Sequence, residues 1–275
     1  MTSFAHRVAS LLAVPESQLE RLAGGDLSAV LLARRTDGRC TVAKGGAAVA
    51  AEASMLRALA ASGMPVPSVE GEHEHLLLLE YVENDGVFSR HAWSEIGCAL
   101  RRLHERTGEQ YGWPVDYRIG TVELVNRPNP DWPRFWGEQR LVSTAALLDR
   151  PWRERIDELV RRLPDLLPAA PPPSHLHGDL WSGNILVKEG RLAALIDPAC
   201  YYGHAEVDLA MIALFDSPPA EFWEAYGPLQ AGWSDRRPLY QLFPALLHLR
   251  LFGPSYASLV DRLLASSSRY RSKVE

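Results

Sequence analysis

The chain has 275 residues, with 29 basic against 34 acidic side chains and a formal net charge of -5. That balance excludes a nucleic-acid binder driven by overall basicity, and a composition 47% apolar and 23% charged excludes the fibrous and disordered classes. The length suits one large domain or two small ones, and among the 29 basic residues only Lys44, Lys188 and Lys273 are lysines. In chain order, the apolar run from Val8 to Val14 comes first. Glu16, Gln18 and Glu20 continue its helix-like pattern and no small-residue cleavage site follows, so it reads as a helix and not as an export signal. Leu27 to Arg35 and Cys40 to Lys44 read as two antiparallel strands about the turn Thr36-Asp37-Gly38-Arg39. Ala47 to Ser62 reads as a helix rich in Ala and Leu, ended by Gly63, Pro65 and Pro67. Glu52 shares a face with Leu56 and Leu59, and a carboxylate facing inward wants a cationic partner.

Val66 to Val69 and Leu76 to Val82 add strands to a small sheet, and after Asn84-Asp85-Gly86 the pattern turns helical. Ala92 to Glu105, Trp132 to Leu148, Pro151 to Leu163, Pro219 to Tyr226 and Leu239 to Ser267 carry it. Pro164 to Pro173 reads as a stiff connector. A short strand pair, Ile185 to Lys188 and Leu192 to Ile196, turns at Glu189-Gly190. The expectation is an α+β chain of two lobes, a β-rich lobe over residues 1–82 and a mainly helical lobe over 83–275, with a ligand in the cleft between them. Trp132, Trp136, Trp152 and Trp223 read as core or interface anchors. Cys40, Cys98 and Cys200 are odd in number and far apart, which suits a reducing cytoplasm, and no apolar stretch is long enough to span a bilayer.

The densest group of chemistry-bearing residues is His177-Gly-Asp-Leu-Trp-Ser-Gly-Asn184, followed by Ile196-Asp197-Pro198. Asp179 and Asn184 stand five apart, the spacing of a base and a metal-binding amide in kinase catalytic loops. The strand pair carries the chain out and back, returning Asp197 toward Asn184. One carboxylate can then accept a hydroxyl proton while the amide and the second carboxylate hold Mg²⁺ on nucleotide phosphates, since hard oxygen ligands suit that ion. Lys44 ends its strand in Thr41-Val-Ala-Lys44, resembling the V-A-I-K strand that reaches nucleotide phosphates, with Glu52 to fix it. Gly24 and Gly25, before Asp26, Leu27 and Ser28, can form a loop whose amides approach phosphate.

These motifs resemble the fructosamine kinases, also called ketosamine kinases, of the protein-kinase-like fold. The resemblance runs from about Gly24 to about Tyr256, most specifically in His177 to Asn184 and in the segment Ile196 to Met211, with support from Leu103-His104, Trp132, Phe135, Arg140-Leu141, His248 and Phe252-Gly253. It implies an ATP-dependent kinase acting on a sugar hydroxyl of a ketosamine, small or protein-linked. It also implies Asp179 as catalytic base, Asn184 and Asp197 as Mg²⁺ ligands, and Lys44 with Glu52 as the phosphate-binding ion pair. Gly24, Gly25 and Ser28 are then the phosphate loop, and Glu80-Tyr81-Val82 the hinge that meets adenine. Trp181, Tyr201, His204 and Glu206 are implied around the acceptor, with His177 and Asp208 in structural support. The family's phosphate loop often carries a cysteine; here Asp26 follows Gly25, so a thiol-linked dimer at that loop is not expected. A cytoplasmic monomer is expected, with neither nucleic acid nor membrane as partner.

Three other readings compete. An aminoglycoside- or choline-kinase-like phosphotransferase shares the H-x-D-x-x-x-x-N pattern, although Leu180-Trp181-Ser182 and Tyr201-Tyr202-Gly203-His204 favour the ketosamine branch. A metal-dependent hydrolase could use His175-Leu-His177-Gly-Asp179, but the other histidines are dispersed. A non-catalytic binding module would be expected to have lost one of Lys44, Asp179, Asn184 or Asp197, and all four are present.

Overall fold

Leu76, Leu77, Leu78 and Leu79 are consecutive and all buried, which a strand permits only when both of its faces are covered. That strand lies inside a five-stranded sheet in the computed structural model, which describes residues 3–22 and 29–269. The chain begins with α1 (Phe4–Leu12), β1 (Leu19–Arg21), β2 (Ala29–Arg34), β3 (Cys40–Gly45), α2 (Val49–Ala61), β4 (Val69–His73), β5 (Leu76–Glu80) and α3 (Arg90–His104). It continues through β6 (Tyr117–Ile119), β7 (Val122–Leu124), α4 (Trp132–Trp136), α5 (Ser143–Ala145), α6 (Arg150–Leu166) and β8 (Ser174–Leu176). Then follow β9 (Ile185–Lys188), β10 (Arg191–Leu195), β11 (Tyr201–Gly203), α7 (Glu206–Phe215), α8 (Ala220–Tyr226), α9 (Trp233–Phe252) and α10 (Ala257–Arg269).

Two units divide the chain, Met1–Ala92 with Gly183–Pro198 and Trp93–Ser182 with Ala199–Glu275. The first holds the antiparallel sheet in the order β1-β2-β3-β5-β4. On one face Val8 of α1 packs with Ala33, Ala43, Leu76 and Leu78; on the other, Val49, Ala53 and Leu56 of α2 pack with Leu77 and Leu79. The helix α1 lies close because Gly45 has no side chain: a Cβ there would stand 2.7 Å from the Phe4 ring. The β9–β10 hairpin belongs to this unit, where the Leu195 amide donates to Pro65 O and the Asp85 amide to Val187 O, each within 2.9 Å. A boundary after residue 82 therefore differs from the observed division, because backbone hydrogen bonds tie the hairpin to residues 65 and 85 and outweigh its position in sequence.

The second unit is mainly helical, built on a core that includes Trp132, Phe135, Trp136, Leu163, Tyr240 and Leu246. The expected helix over 132–148 is broken: α4 passes into a π-helical turn, Gly137–Val142, before α5. Gly137 lets α6 approach, since a Cβ there would meet Val160 at 2.8 Å. The helix expected from 239 to 267 divides at Gly253 (φ 84°) into α9 and α10. Strands β8 and β11 pair antiparallel with Leu176 opposite Tyr201. Neither they nor α7 were expected from periodicity. The strand β8 is buried throughout, β11 apart from Tyr202, and α7 from Glu206 to Ile212, so none presents a polar face to set a period.

Candidate active site

In the first unit the ladder places Lys44 opposite Val30 on one side and Leu77 on the other, and the two-residue pleat puts it on the same face as Val42, toward α2. Glu52 sits in the first turn of α2. Lys44 Nζ donates to Glu52 Oε1 and to Asp197 Oδ1, both at 2.6 Å. Burial works against the Lys44 charge, but the attraction of Glu52 and then Asp197 more than offsets it and raises the pKa above the ordinary lysine value. Burial pushes the Glu52 carboxyl up, with Lys44 pulling it back. Asp197 has a left-handed φ of 54° and a side chain 43% exposed, so the chain turns there and leaves the carboxylate partly open to solvent.

The Ile196 amide donates to Asn184 O at 3.0 Å, closing the base of the hairpin so that Asn184 and Asp197 flank it. This donor set suits Mg²⁺: one amide and one carboxylate oxygen are hard ligands, and the ion is commonly held by one or two protein groups with phosphate and water. Glu80 ends β5, where its Oε2 accepts from Ser68 N at 3.2 Å and from Ser68 Oγ at 2.9 Å. Val82 follows just beyond the strand and is half-buried. Gly24, Gly25 and Ser28 lie outside the described residues.

In the second unit β8 runs into His177, Gly178 and Asp179. Asp208, fully buried in the first turn of α7, accepts from His177 N at 2.7 Å, from Gly178 N at 2.9 Å and from His104 Nε2 at 3.2 Å. Since a carboxylate only accepts, His104 Nε2 donates to it, and His104 Nδ1 shares a hydrogen bond with Tyr226 Oη at 2.9 Å. Burial alone would raise the Asp208 pKa; the His104 hydrogen bond, the nearby imidazoles and the Gly178 amide hold it below the ordinary aspartate value. Gly178 turns at φ 83°, with its missing Cβ 2.0 Å from Ala199 O. The Asp179 amide donates to His177 Nδ1 at 3.3 Å and the Ser182 amide to Asp216 Oδ2 at 2.8 Å. The two ends of α7 thus hold the loop through Asp208 and Asp216. Asp216 was not expected from the sequence, because it becomes recognisable only once α7 is known.

Trp181 leaves this loop 39% exposed, 6.1 Å from the Phe215 ring. Phe215 stands 4.7 Å from His248, which meets Phe252 at 5.3 Å and Tyr256 at 5.0 Å. His248 and Phe252 carried a family likeness in the sequence, but their grouping with Trp181 comes from the packing of α7 and α9. The His175 ring stacks on Trp113, with centroids 5.4 Å apart, while His177 Nδ1 accepts the Asp179 amide; the two imidazoles of the H-x-H string serve different neighbours.

Tyr201, His204 and Glu206 are set apart from this aromatic series. The Arg140 guanidinium, fully buried, lies 4.0 Å from the Tyr201 ring centre and donates to Val125 O and Asn126 Oδ1. His204 Nδ1 accepts from Tyr240 Oη at 2.7 Å, and Glu206 takes the Arg236 guanidinium through both oxygens. These bonds make all three interior struts. His204 and Glu206 also line a cavity of about 290 Å³ with Arg101, His104 and Tyr226, and neither Asp179 nor Trp181 borders it.

The model of the fructosamine kinase family matches residues 13–269. An Enterococcus faecium protein named a probable ketoamine kinase is 38% identical over 198 residues, covering 68% of this chain and 70% of its own. Among solved structures, a Thermobifida fusca protein assigned as a fructosamine-3-kinase superposes with a TM-score of 0.86 at 30% identity, over 98% of this chain and 100% of that one. A choline/ethanolamine kinase family protein from Mesorhizobium loti superposes at 0.61 with 19% identity, over 95% of this chain and 92% of its own, a likeness of fold.

Proposed function

We propose, from the premise that this chain belongs to the fructosamine kinase family, that it phosphorylates a sugar hydroxyl of a ketosamine at the expense of ATP, with Asp179 as base. The observation that carries the nucleotide half of this reading is the pair of 2.6 Å contacts from Lys44 to Glu52 and Asp197. They set one ammonium between an anchoring carboxylate and a candidate metal ligand. Lys44 neutralises phosphate oxygens, and Glu52 keeps its Nζ in place. Backbone groups from Glu80 to Val82 meet the adenine, and Gly24, Gly25 and Ser28 form the loop along the phosphates. Asn184 and Asp197 would hold Mg²⁺, which when bound neutralises charge on the phosphates.

On the acceptor side, Asp179 takes the proton of the sugar hydroxyl as its oxygen bonds to the γ-phosphorus, and the bond from that phosphorus to the β,γ-bridging oxygen breaks to release ADP. Little covalent work is asked of the protein, so alignment dominates. The buried Asp208 fixes the backbone two residues before the base. Trp181, with Phe215 and His248 behind it, offers ring faces that suit the cationic amine of a ketosamine. The acceptor is free or protein-linked, and the enzyme acts as a cytoplasmic monomer without nucleic acid or membrane.

The test is ATP consumption with fructosyl- and ribulosyl-amines, alongside glycated protein, aminoglycosides, choline and free sugars. Ketosamines are expected to be the preferred acceptors. Asp179→Asn is expected to lower kcat by at least about a hundredfold, the ordinary scale of a positioned base, with ATP binding retained; an intact rate would remove Asp179 from the role of base.

A further inference from the structure

The turn of the β9–β10 hairpin is held from outside the hairpin. Glu189 (φ 52°) and Gly190 (φ 71°) are both left-handed, so the chain reverses in two residues. A short segment of the same unit binds that turn. The Asp85 amide donates to Val187 O at 2.9 Å, and Asp85 Oδ2 accepts from Glu189 N at 2.8 Å. Its other oxygen accepts from Val87 N at 3.0 Å, which holds the carboxylate in place. Ser89 Oγ donates to Gly190 O at 2.5 Å and accepts from Ala92 N at 3.0 Å. The amide donors, that of Glu189 foremost, keep the Asp85 carboxyl below the ordinary aspartate range.

The other end of the hairpin carries the proposed metal ligands. Asn184 directly precedes β9, and Asp197 lies two residues beyond β10. Four residues of strand, at about 3.3 Å each, put roughly 13 Å between turn and base. The register shifts between Leu192 and Ala194, but pairing continues on both sides of that shift, from Arg191 opposite Lys188 at the turn to Leu195 opposite Ile185 at the base, so the two ends stay linked through the ladder. The hairpin is also restrained at both ends, by Lys44 on Asp197 and Pro65 on the Leu195 amide at the base and by Asp85 on Glu189 at the turn. The segment that does this begins just after Glu80 to Val82, the residues assigned to adenine.

We infer that Asp85 is a positioning residue which, through the hairpin turn, sets Asn184 and Asp197 for the divalent cation of the nucleotide complex. The inference rests on the phosphotransfer reading of those two residues.

The experiment titrates full-length protein with Mn²⁺ by electron paramagnetic resonance in the presence of a non-hydrolysable ATP analogue, with the Mg²⁺ dependence of turnover measured in parallel. Asp85→Ala is expected to bind Mn²⁺ three- to tenfold more weakly and to need correspondingly more Mg²⁺, at an unchanged KM for the ketosamine. Asp85→Asn keeps an oxygen for the Glu189 amide and is expected to recover most of the affinity. Asp37→Ala is the control: Asp37 accepts from Arg39 N and Nε at the β2–β3 turn and should leave Mn²⁺ affinity at the wild-type level. Wild-type Mn²⁺ affinity in Asp85→Ala overturns the inference, as does equal weakening in the Asp37 control, which would mean general loosening. Absence of nucleotide-dependent Mn²⁺ binding in the wild type would instead overturn the reading of the site, and the inference with it.

Discussion

Gly178 shows how narrowly one residue can be specified. Its positive φ and the carbonyl of Ala199 both exclude a side chain at the position next to the proposed base. Gly178→Ala is expected to cost at least about 1–2 kcal/mol from the left-handed backbone alone, with a further loss from the contact, and to lower both the melting temperature and kcat. Two buried imidazoles, His175 and His204, make the stability depend on pH. Burial lowers the His175 pKa to about 4 and the His204 pKa to about 3. Each folded value lies below the ordinary 6.5, so the unfolded chain takes up protons that the folded chain refuses. Stability is therefore full above about pH 6.5 and falls as the pH drops toward 4. At pH 5 the loss is expected to be on the order of 2 kcal/mol per imidazole relative to pH 7.5, measured by urea unfolding. A pH-independent unfolding midpoint over that range would contradict the neutral assignment of both rings. At this scale the pairing of Lys44 with Glu52 was legible in the sequence, because strand position and helix face place both residues. The bonding of Glu206 to Arg236 was not, since thirty residues, with α8 among them, separate the partners.

Among the elements, α1 covers one face of the sheet whose β3 strand carries Lys44, and Phe4 is seated over Gly45, the residue after that lysine. Phe4→Ala is expected to destabilise the protein by about 1–3 kcal/mol, less than a fully buried aromatic because the ring is partly exposed. It should raise KM for ATP more than KM for the ketosamine. The hairpins of the chain were readable from their turn residues, and the amphipathic helices from their polar face. The helix α7 was missed for the opposite reason: Glu206 through Ile212 are all buried, so no alternation betrays the period. The aromatic series from Trp181 to Tyr256 was likewise invisible, as it is assembled from a loop and from segments that periodicity cannot bring together. The π-helical turn begins at Gly137, where the chain packs against Val160, a tertiary contact that periodicity does not show.

For the whole molecule, the two-part organisation was legible but its boundary was not. The strand pair at residues 185–195 lies deep within a helical stretch of sequence, and only its bonds to Pro65 and Asp85 reveal the unit it completes. A fragment ending at residue 92 is expected to melt without cooperativity by circular dichroism. The same fragment joined by a flexible linker to residues 183–198 should regain a sigmoidal transition; equal behaviour of the two would mean that the hairpin adds nothing to the unit. The split has a temporal side as well. A ribosome adding roughly 5–20 residues per second needs about 5–20 s to move from residue 92 to residue 198. Throughout that interval β3 and α2 carry Lys44 and Glu52 without Asp197, so the order of synthesis makes the carboxylate proposed for the metal the last of the three to arrive.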